Sequence, residues 1–172
     1  MSHLFRNNQL AWIAIGTNQG NSQALYRRVV SRISNHPRGL RLVGKSAIYR
    51  TQPVGNVKQP WFLNGVVVVE TKYGPKALLN ILHTIEHSFG RNRRREKRWG
   101  PRRMDLDLLF YGQRVLRTKN IKIPHPSLHL RRFVLTPLAE VSPQLIHPIF
   151  GKTVDMLLQD VDDAARVEHL LF

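Results

Sequence analysis

FLNGVVVVET, residues 62–71, is the most strand-like stretch of the chain, a short apolar run built on four consecutive valines that are stiff at χ1 and disfavour helix. Immediately before it, QPVGNVKQP (52–60) reads as a loop, and LRLVGKSAIYRT (40–51) as a partner strand in which Gly44 suits a bulge. Further upstream, Asn21 or Ser22 can cap a helix running to about Asn35, its apolar side made by Leu25, Val29, Val30 and Ile33. LAWIAIG (10–16) precedes that helix as a short buried strand ended by a Gly-Thr-Asn turn. Downstream, Gly74-Pro75 opens a helix to about Phe89 that buries Leu78, Leu79, Ile81, Leu82 and Ile85, and Gly90 stops it. A basic loop (91–104), the strand DLDLLFY (105–111), a turn at Gly112-Gln113 and a short strand near 114–117 follow. The segment IPHP turns the chain toward helices expected near 130–141 and 153–160. The order β-α-β-β-α-β with C-terminal helical additions predicts an α+β fold, a ferredoxin-like split βαβ sandwich whose antiparallel sheet carries its helices on one face. Residues 1–9 are expected to be an N-terminal extension to one domain spanning 10–172.

Composition narrows the function classes. No apolar run is long enough to span a bilayer, and MSHLFRNNQ lacks the apolar core of a secretory signal. Cysteine is absent, so disulfides and thiolate metal sites are excluded, and a cytoplasmic location is the expectation. The net charge of +16 calls for a polyanionic partner: a nucleic acid, a membrane surface or a phosphorylated small molecule. Residues 91–103 (RNRRREKRWGPRR) hold eight basic groups and one acid, whereas the first 152 residues contain only six acids in all. Two of those six, Asp105 and Asp107, stand one residue apart just after the basic run.

That pair carries the chemistry. Side chains alternate along a strand, so Asp105 and Asp107 project to one side while Leu106 and Leu108 anchor the strand from the other. Adjacent carboxylates repel and raise each other's pKa, and a hard divalent cation such as Mg²⁺ relieves the repulsion, with substrate phosphates completing its coordination. Salt bridges to Arg102 and Arg103 are the plainer explanation of the same spacing. The preceding loop favours the metal, because Arg91, Arg93, Arg94, Arg95, Arg98, Arg102 and Arg103 supply forks for phosphate oxygens. Trp99 within the run suits a group with something to cover, unlike a merely solvated charge tract. A lid this basic is expected to close over a polyanion, so that nucleotide binds before acceptor.

The block Arg98-Trp99-Gly100-Pro101-Arg102-Arg103-Met104-Asp105-Leu106-Asp107-Leu108-Leu109 resembles the signature of the 6-hydroxymethyl-7,8-dihydropterin pyrophosphokinases of folate biosynthesis. IAIGTN (13–18), YRTQPVG (49–55), WFLNGVV (61–67), IEHSFGR (85–91) and PHPSLHLRRFVLTPL (124–138) fall in family order, so the resemblance spans about residues 10–158. It implies pyrophosphoryl transfer from ATP, as co-substrate, to the acceptor's hydroxymethyl, with release of AMP and use of two Mg²⁺ ions. Asp105 and Asp107 would hold both ions, and Arg91 and Arg102 would stabilise the transferring group. Arg93 (or its neighbour Arg94), Arg98, Trp99, His125 and Arg131 would contact ATP. Glu86, Leu108, Ile121 and Lys122 would line its nucleoside side. The reduced pterin would stack between Phe62 and Phe133, with Asn64 reading its edge and the backbone of Thr51, Pro53, Val54 and Gly55 completing the contact. The chain departs from the pattern at His83, where relatives often carry Gln.

Two other classes fit single features. The high charge and the strand order would also suit a non-catalytic RNA-binding module, although Trp12, Tyr49, Phe62 and Phe110 form no RNA-stacking run and Asp105 and Asp107 would have no task. His83-Thr84-Ile85-Glu86-His87 matches the H-x-x-E-H zinc-hydrolase pattern, for which Glu140 or Glu168 could be a third ligand. The small molecules ATP and reduced pterin remain the expected partners, without specific nucleic acid or membrane. No sequence feature encodes an interface, and a monomer is the simpler expectation.

Overall fold

A computed structural model describes residues 8–37, 39–53, 58–91 and 101–170. Strand β1 (Gln9–Thr17) leads to helix α1 (Ser22–Ser34), whose start is fixed by the Asn21 side chain accepting from the Ala24 N–H at 3.1 Å. Strands β2 (Leu40–Lys45), β3 (Tyr49–Thr51) and β4 (Phe62–Thr71) come next, then helix α2 (Pro75–Ser88) and strand β5 (Asp105–Tyr111). The remainder comprises a hairpin of β6 (Leu116–Arg117) and β7 (Lys122–Ile123), helices α3 (Arg132–Val141) and α4 (Val154–Asp160), and strand β8 (Val167–His169).

The main sheet runs β5-β1-β4-β3-β8, with β2 also on β4, and the pairings β1–β4, β1–β5, β2–β4, β3–β4 and β3–β8 are all antiparallel. The stretch expected as one strand over 40–51 is two. Its backbone leaves the ladder at Ala47, whose N–H donates to the Glu140 carboxylate of α3 at 3.0 Å. The bulge expected near Gly44 is present as a register shift between Leu42 and Gly44. β8 had no sequence expectation; it extends the sheet beyond β3 through Val167–His169.

Helices α1 and α2 share one face of the sheet, as expected, and the C-terminal helices α3 and α4, whose side the sequence did not indicate, cover the other. Ile13, Ile15, Val67, Val69, Leu106 and Leu108 pack against α1 and α2 on one side. Trp12, Val66, Val68 and Phe110 pack with Leu135 and Leu138 of α3 and Val154 and Leu157 of α4 on the other. The physical cause lies in β4 itself: its four valines do not alternate with polar residues, as befits a strand buried on both faces. Trp12 reinforces the second layer by donating its indole N–H to Ser142 Oγ at 2.8 Å. Since Trp12 and Phe110 lie beneath helices, the central strands do not present them as a base-stacking platform. Among the described residues, no helix is long and apolar enough to cross a membrane.

Candidate active site

β5 places its carboxylates as alternation requires. Leu106 and Leu108 are buried against α1 and α2, while Asp105 and Asp107 open from the opposite face into a cavity of about 320 Å³. A bulge between Trp12 and Ile13 of β1 shifts the β5 register just beyond the pair, so Leu109 and Phe110 both join the core on the α3 side.

Asp105 is held by two guanidiniums. Arg91 donates to one carboxylate oxygen and Arg102 to the other. Burial would raise the Asp105 carboxyl, but Arg91 and Arg102 outweigh it and hold it below the ordinary range. The second arginine of the expected salt bridge, Arg103, has a different place: its side chain lies over Gly90 and its carbonyl accepts from Thr17 Oγ1 at 2.7 Å. Arg91 is itself fixed by Glu86, a carboxylate only 1% exposed that accepts from Arg91 and, at 2.7 Å, from the backbone N–H of Leu106. Glu86 thereby ties the end of α2 to the start of β5 through Arg91.

Asp107 has the opposite character. Among the described residues its carboxylate accepts no hydrogen bond. Burial, followed by repulsion from Asp105, pushes its pKa up to about 6, with Arg131 acting against the rise. Two hard oxygen donors side by side, one neutralised by arginines and one not, are a donor set suited to a divalent cation. His125 lies close enough to feel Arg131 and Asp105; burial, aided by Arg131, pushes its imidazole down to about 4, so it is neutral at pH 7. Its Nδ1 accepts from the Ser127 N–H at 3.3 Å.

The other end of the same cavity is formed by Thr51, Phe62, Asn64 and Phe133. Asn64 is 8% exposed and donates its amide to Thr51 Oγ1 at 2.6 Å, which leaves its carbonyl oxygen facing Gly16. In register across three strands, Asn64 of β4 lies beside Gly16 of β1, and Gly16 beside Asp105 of β5. Arg102 and Arg131 line the cavity as well, and Arg131 stands 5.8 Å from the Phe133 ring centre.

The expected site residues thus fall into groups. Arg102, Asp105, Asp107, Arg131, Thr51, Phe62, Asn64 and Phe133 converge on one cavity. Arg91, Glu86 and His125 stand behind it, connected to Asp105 by the contacts and charges above. Leu108 is core, whereas Ile121 and exposed Lys122 border the β6–β7 hairpin. Pro53 is described but does not line the cavity, and Val54, Gly55, Arg93, Arg98 and Trp99 lie outside the described residues, as does most of the basic loop. The zinc pattern does not assemble: Glu86 turns into the core, His87 is exposed, Glu140 is bound to Ala47 and Tyr49, and no group of three metal-ligating side chains occurs among the described residues.

Sequence reasoning gave no task to Asn18, which joins both ends of the site. It is 3% exposed, accepts from the Arg102 N–H at 2.8 Å and donates its amide to Gln59 Oε1 at 3.1 Å and the Pro60 carbonyl at 3.0 Å. The Gly-Thr-Asn turn at the end of the first strand was the available signal. Gln52 and Gln59, which line the cavity, carried none.

A carboxylate pair among arginines at one end of a cavity, and two rings with a carboxamide at the other, is the arrangement of a two-substrate group-transfer enzyme. Residues 12–143 match the family described as 7,8-dihydro-6-hydroxymethylpterin-pyrophosphokinase, and the chain belongs to that family. It is 39% identical over 160 residues to the 2-amino-4-hydroxy-6-hydroxymethyldihydropteridine pyrophosphokinase of Methylorubrum extorquens, covering 92% of this chain and 98% of that protein. With the enzyme of the same description from Bacillus subtilis it shares 39% identity over 138 residues, 80% of this chain and 81% of the other. Among solved structures, the wild-type HPPK-DHPS protein of Plasmodium falciparum superposes with a TM-score of 0.68 at 15% identity, over 89% of this chain. The chain spans 44% of the length of that larger protein, and the likeness concerns the fold.

Proposed function

We propose that the protein transfers pyrophosphate from ATP to the hydroxymethyl group of 6-hydroxymethyl-7,8-dihydropterin, releasing AMP, as a step of folate biosynthesis. The observation that carries this reading is the shared cavity: Asp105, Asp107 and Arg102 at one end, Phe62, Asn64 and Phe133 at the other. Family membership and strong similarity to whole pyrophosphokinase chains support it. The strand order β5-β1-β4 with β2 on β4 also suits a split βαβ unit, extended here by β8 and the second helical layer.

In the reaction, the acceptor oxygen forms a bond to the β phosphorus of ATP. The bond from that phosphorus to the α-phosphate oxygen breaks, AMP leaves and the hydroxyl proton is released. The paired oxygens of Asp105 and Asp107 are the donors for Mg²⁺, two ions by analogy with the family, and bound Mg²⁺ supplies charge neutralisation on the phosphates. Arg91 and Arg102, both already directed at Asp105, are positioned to exchange part of that contact for phosphate oxygens. Arg131 adds a third cation beside Asp107. Neutral His125 offers a hydrogen bond to phosphate through Nε2, because its Nδ1 is occupied as an acceptor. At the acceptor end, Phe62 and Phe133 present aromatic surface to a flat bicyclic ring, and Asn64 offers its carbonyl to a ring N–H.

Incubation with Mg-ATP and the reduced pterin alcohol tests the reading. One AMP is expected for each acceptor consumed; production of ADP, or AMP that accumulates equally without acceptor, would overturn it.

A further inference from the structure

We propose that Gly16 is a specificity-determining residue that forms the floor of the acceptor end, setting where the Asn64 carboxamide sits and leaving the strip between Asn64 and Asp105 open to the acceptor's one-carbon arm. The inference rests on Asn64 and Phe62 contacting a flat heterocyclic acceptor, as argued above.

The backbone does not require glycine here. Gly16 lies within β1 and its φ is outside the left-handed region, so an ordinary L-residue could adopt the same conformation. Space is the reason. A Cβ on Gly16 would lie 2.8 Å from Asn64 Oδ1, too close for either atom to remain in place. Asn64 has little freedom to yield, since its amide nitrogen is bonded to Thr51 Oγ1 at 2.6 Å and Thr51 is 1% exposed. Moving the carbonyl oxygen would rotate the whole carboxamide and break that bond.

The same added Cβ would meet Asp105 only at its Cβ, 3.9 Å away, an ordinary contact. The disturbance is therefore directed to the acceptor side and spares the carboxylate. The pattern along β1 fits this role. Trp12, Ala14 and Gly16 occupy alternate positions on one face, Trp12 filling the core and Ala14 and Gly16 lining the cavity. The floor thus deepens stepwise toward the row in which Asn64 and Asp105 flank Gly16 at two strand spacings, roughly 10 Å apart at the backbone. A ring whose edge meets Asn64 can then extend a single carbon across Gly16 toward Asp105.

The test is a double-mutant cycle read by calorimetry, titrating 6-hydroxymethylpterin into protein saturated with Mg²⁺ and a non-hydrolysable ATP analogue. Gly16→Ala is expected to weaken acceptor binding by about tenfold or more, as a displaced buried amide does. Affinity for the nucleotide analogue should stay within about twofold, and in an Asn64→Ser background the added Gly16→Ala should cost less than about threefold. Unchanged acceptor affinity, a parallel loss of nucleotide binding, or additive effects of the two substitutions would each overturn the proposal. Should Gly16→Ala fail to fold while the double variant folds, the clash with Asn64 is established directly and supports it; failure of both would make Gly16 a folding residue and end it. Absence of acceptor binding by the unaltered protein would instead refute the functional reading, a separate outcome.

Discussion

Arg91 and Asp105, fourteen positions apart in the chain, meet beneath the cavity because Glu86 holds the Arg91 guanidinium in place from the other side. The site is therefore a chain of alternating charge, Glu86–Arg91–Asp105–Arg102, that ends beside Asp107, whose carboxylate accepts no hydrogen bond among the described residues. Its members respond differently to substitution and to pH.

Asp107 should be a stability liability in metal-free protein. Its native pKa, about 6, lies above the ordinary 3.8, so the folded state holds its proton more tightly than the unfolded chain. Its contribution is complete below about pH 4 and is lost as pH rises through 6. Asp107→Asn, neutral and isosteric, is expected to raise the unfolding temperature at pH 8 in chelator by roughly 3–6 °C, and to abolish turnover. The thermal gain should vanish near pH 4; a gain independent of pH would contradict this origin.

Glu86 should matter for folding and for placing Arg91. Glu86→Ala removes one partner of a buried ion pair and leaves the Leu106 N–H without its acceptor, at a cost of about 3 kcal/mol in urea unfolding. Turnover should fall through kcat, since Arg91 loses its orientation, while acceptor affinity is preserved. A variant as stable as the original protein would show that the pair contributes nothing to folding.

Asn18 should affect both substrates together. Its side chain links the Arg102 backbone to Gln59 and Pro60, so Asn18→Ala is expected to destabilise by about 2 kcal/mol and to weaken nucleotide and acceptor binding alike. Loss of only one affinity, measured by separate titrations, would place Asn18 within a single subsite.

His125 should define an acid limb in the stability curve. Its native pKa, near 4, lies below the ordinary 6.5, so its contribution is full above pH 6.5 and is lost as pH falls toward 4. In NMR titrations its ring signals should stay in the neutral form down to about pH 5. Titration near 6.5 would show that the imidazole is solvated.

What was legible in the sequence was local. The alternation in DLDLL fixed which side chains face the cavity, Asn21 marked the start of α1, and β4 covers the residues that its valines announced. The long-range partners were not legible. Asp105 takes Arg91 and Arg102 where proximity in sequence suggested Arg102 and Arg103, because the end of α2 approaches β5 in space. The second helical layer was written in the unbroken valine run, but reading it required knowing that Trp12 would meet Ser142, 130 residues away. Gly16 passed as part of a turn, since nothing in the chain announces that Asn64 lies opposite.

In the proposed reaction Asp105 and Asp107 serve as a metal pair for a nucleotide tail, and the arginine clasp on Asp105 gives way when that tail binds. A crystal structure with Mg²⁺ and a non-hydrolysable ATP analogue tests it most directly. Carboxylate oxygens from both residues should coordinate magnesium, with Arg102 shifted onto phosphate. Metal-free carboxylates, with Asp105 still gripped by Arg91 and Arg102 beside bound nucleotide, would contradict it.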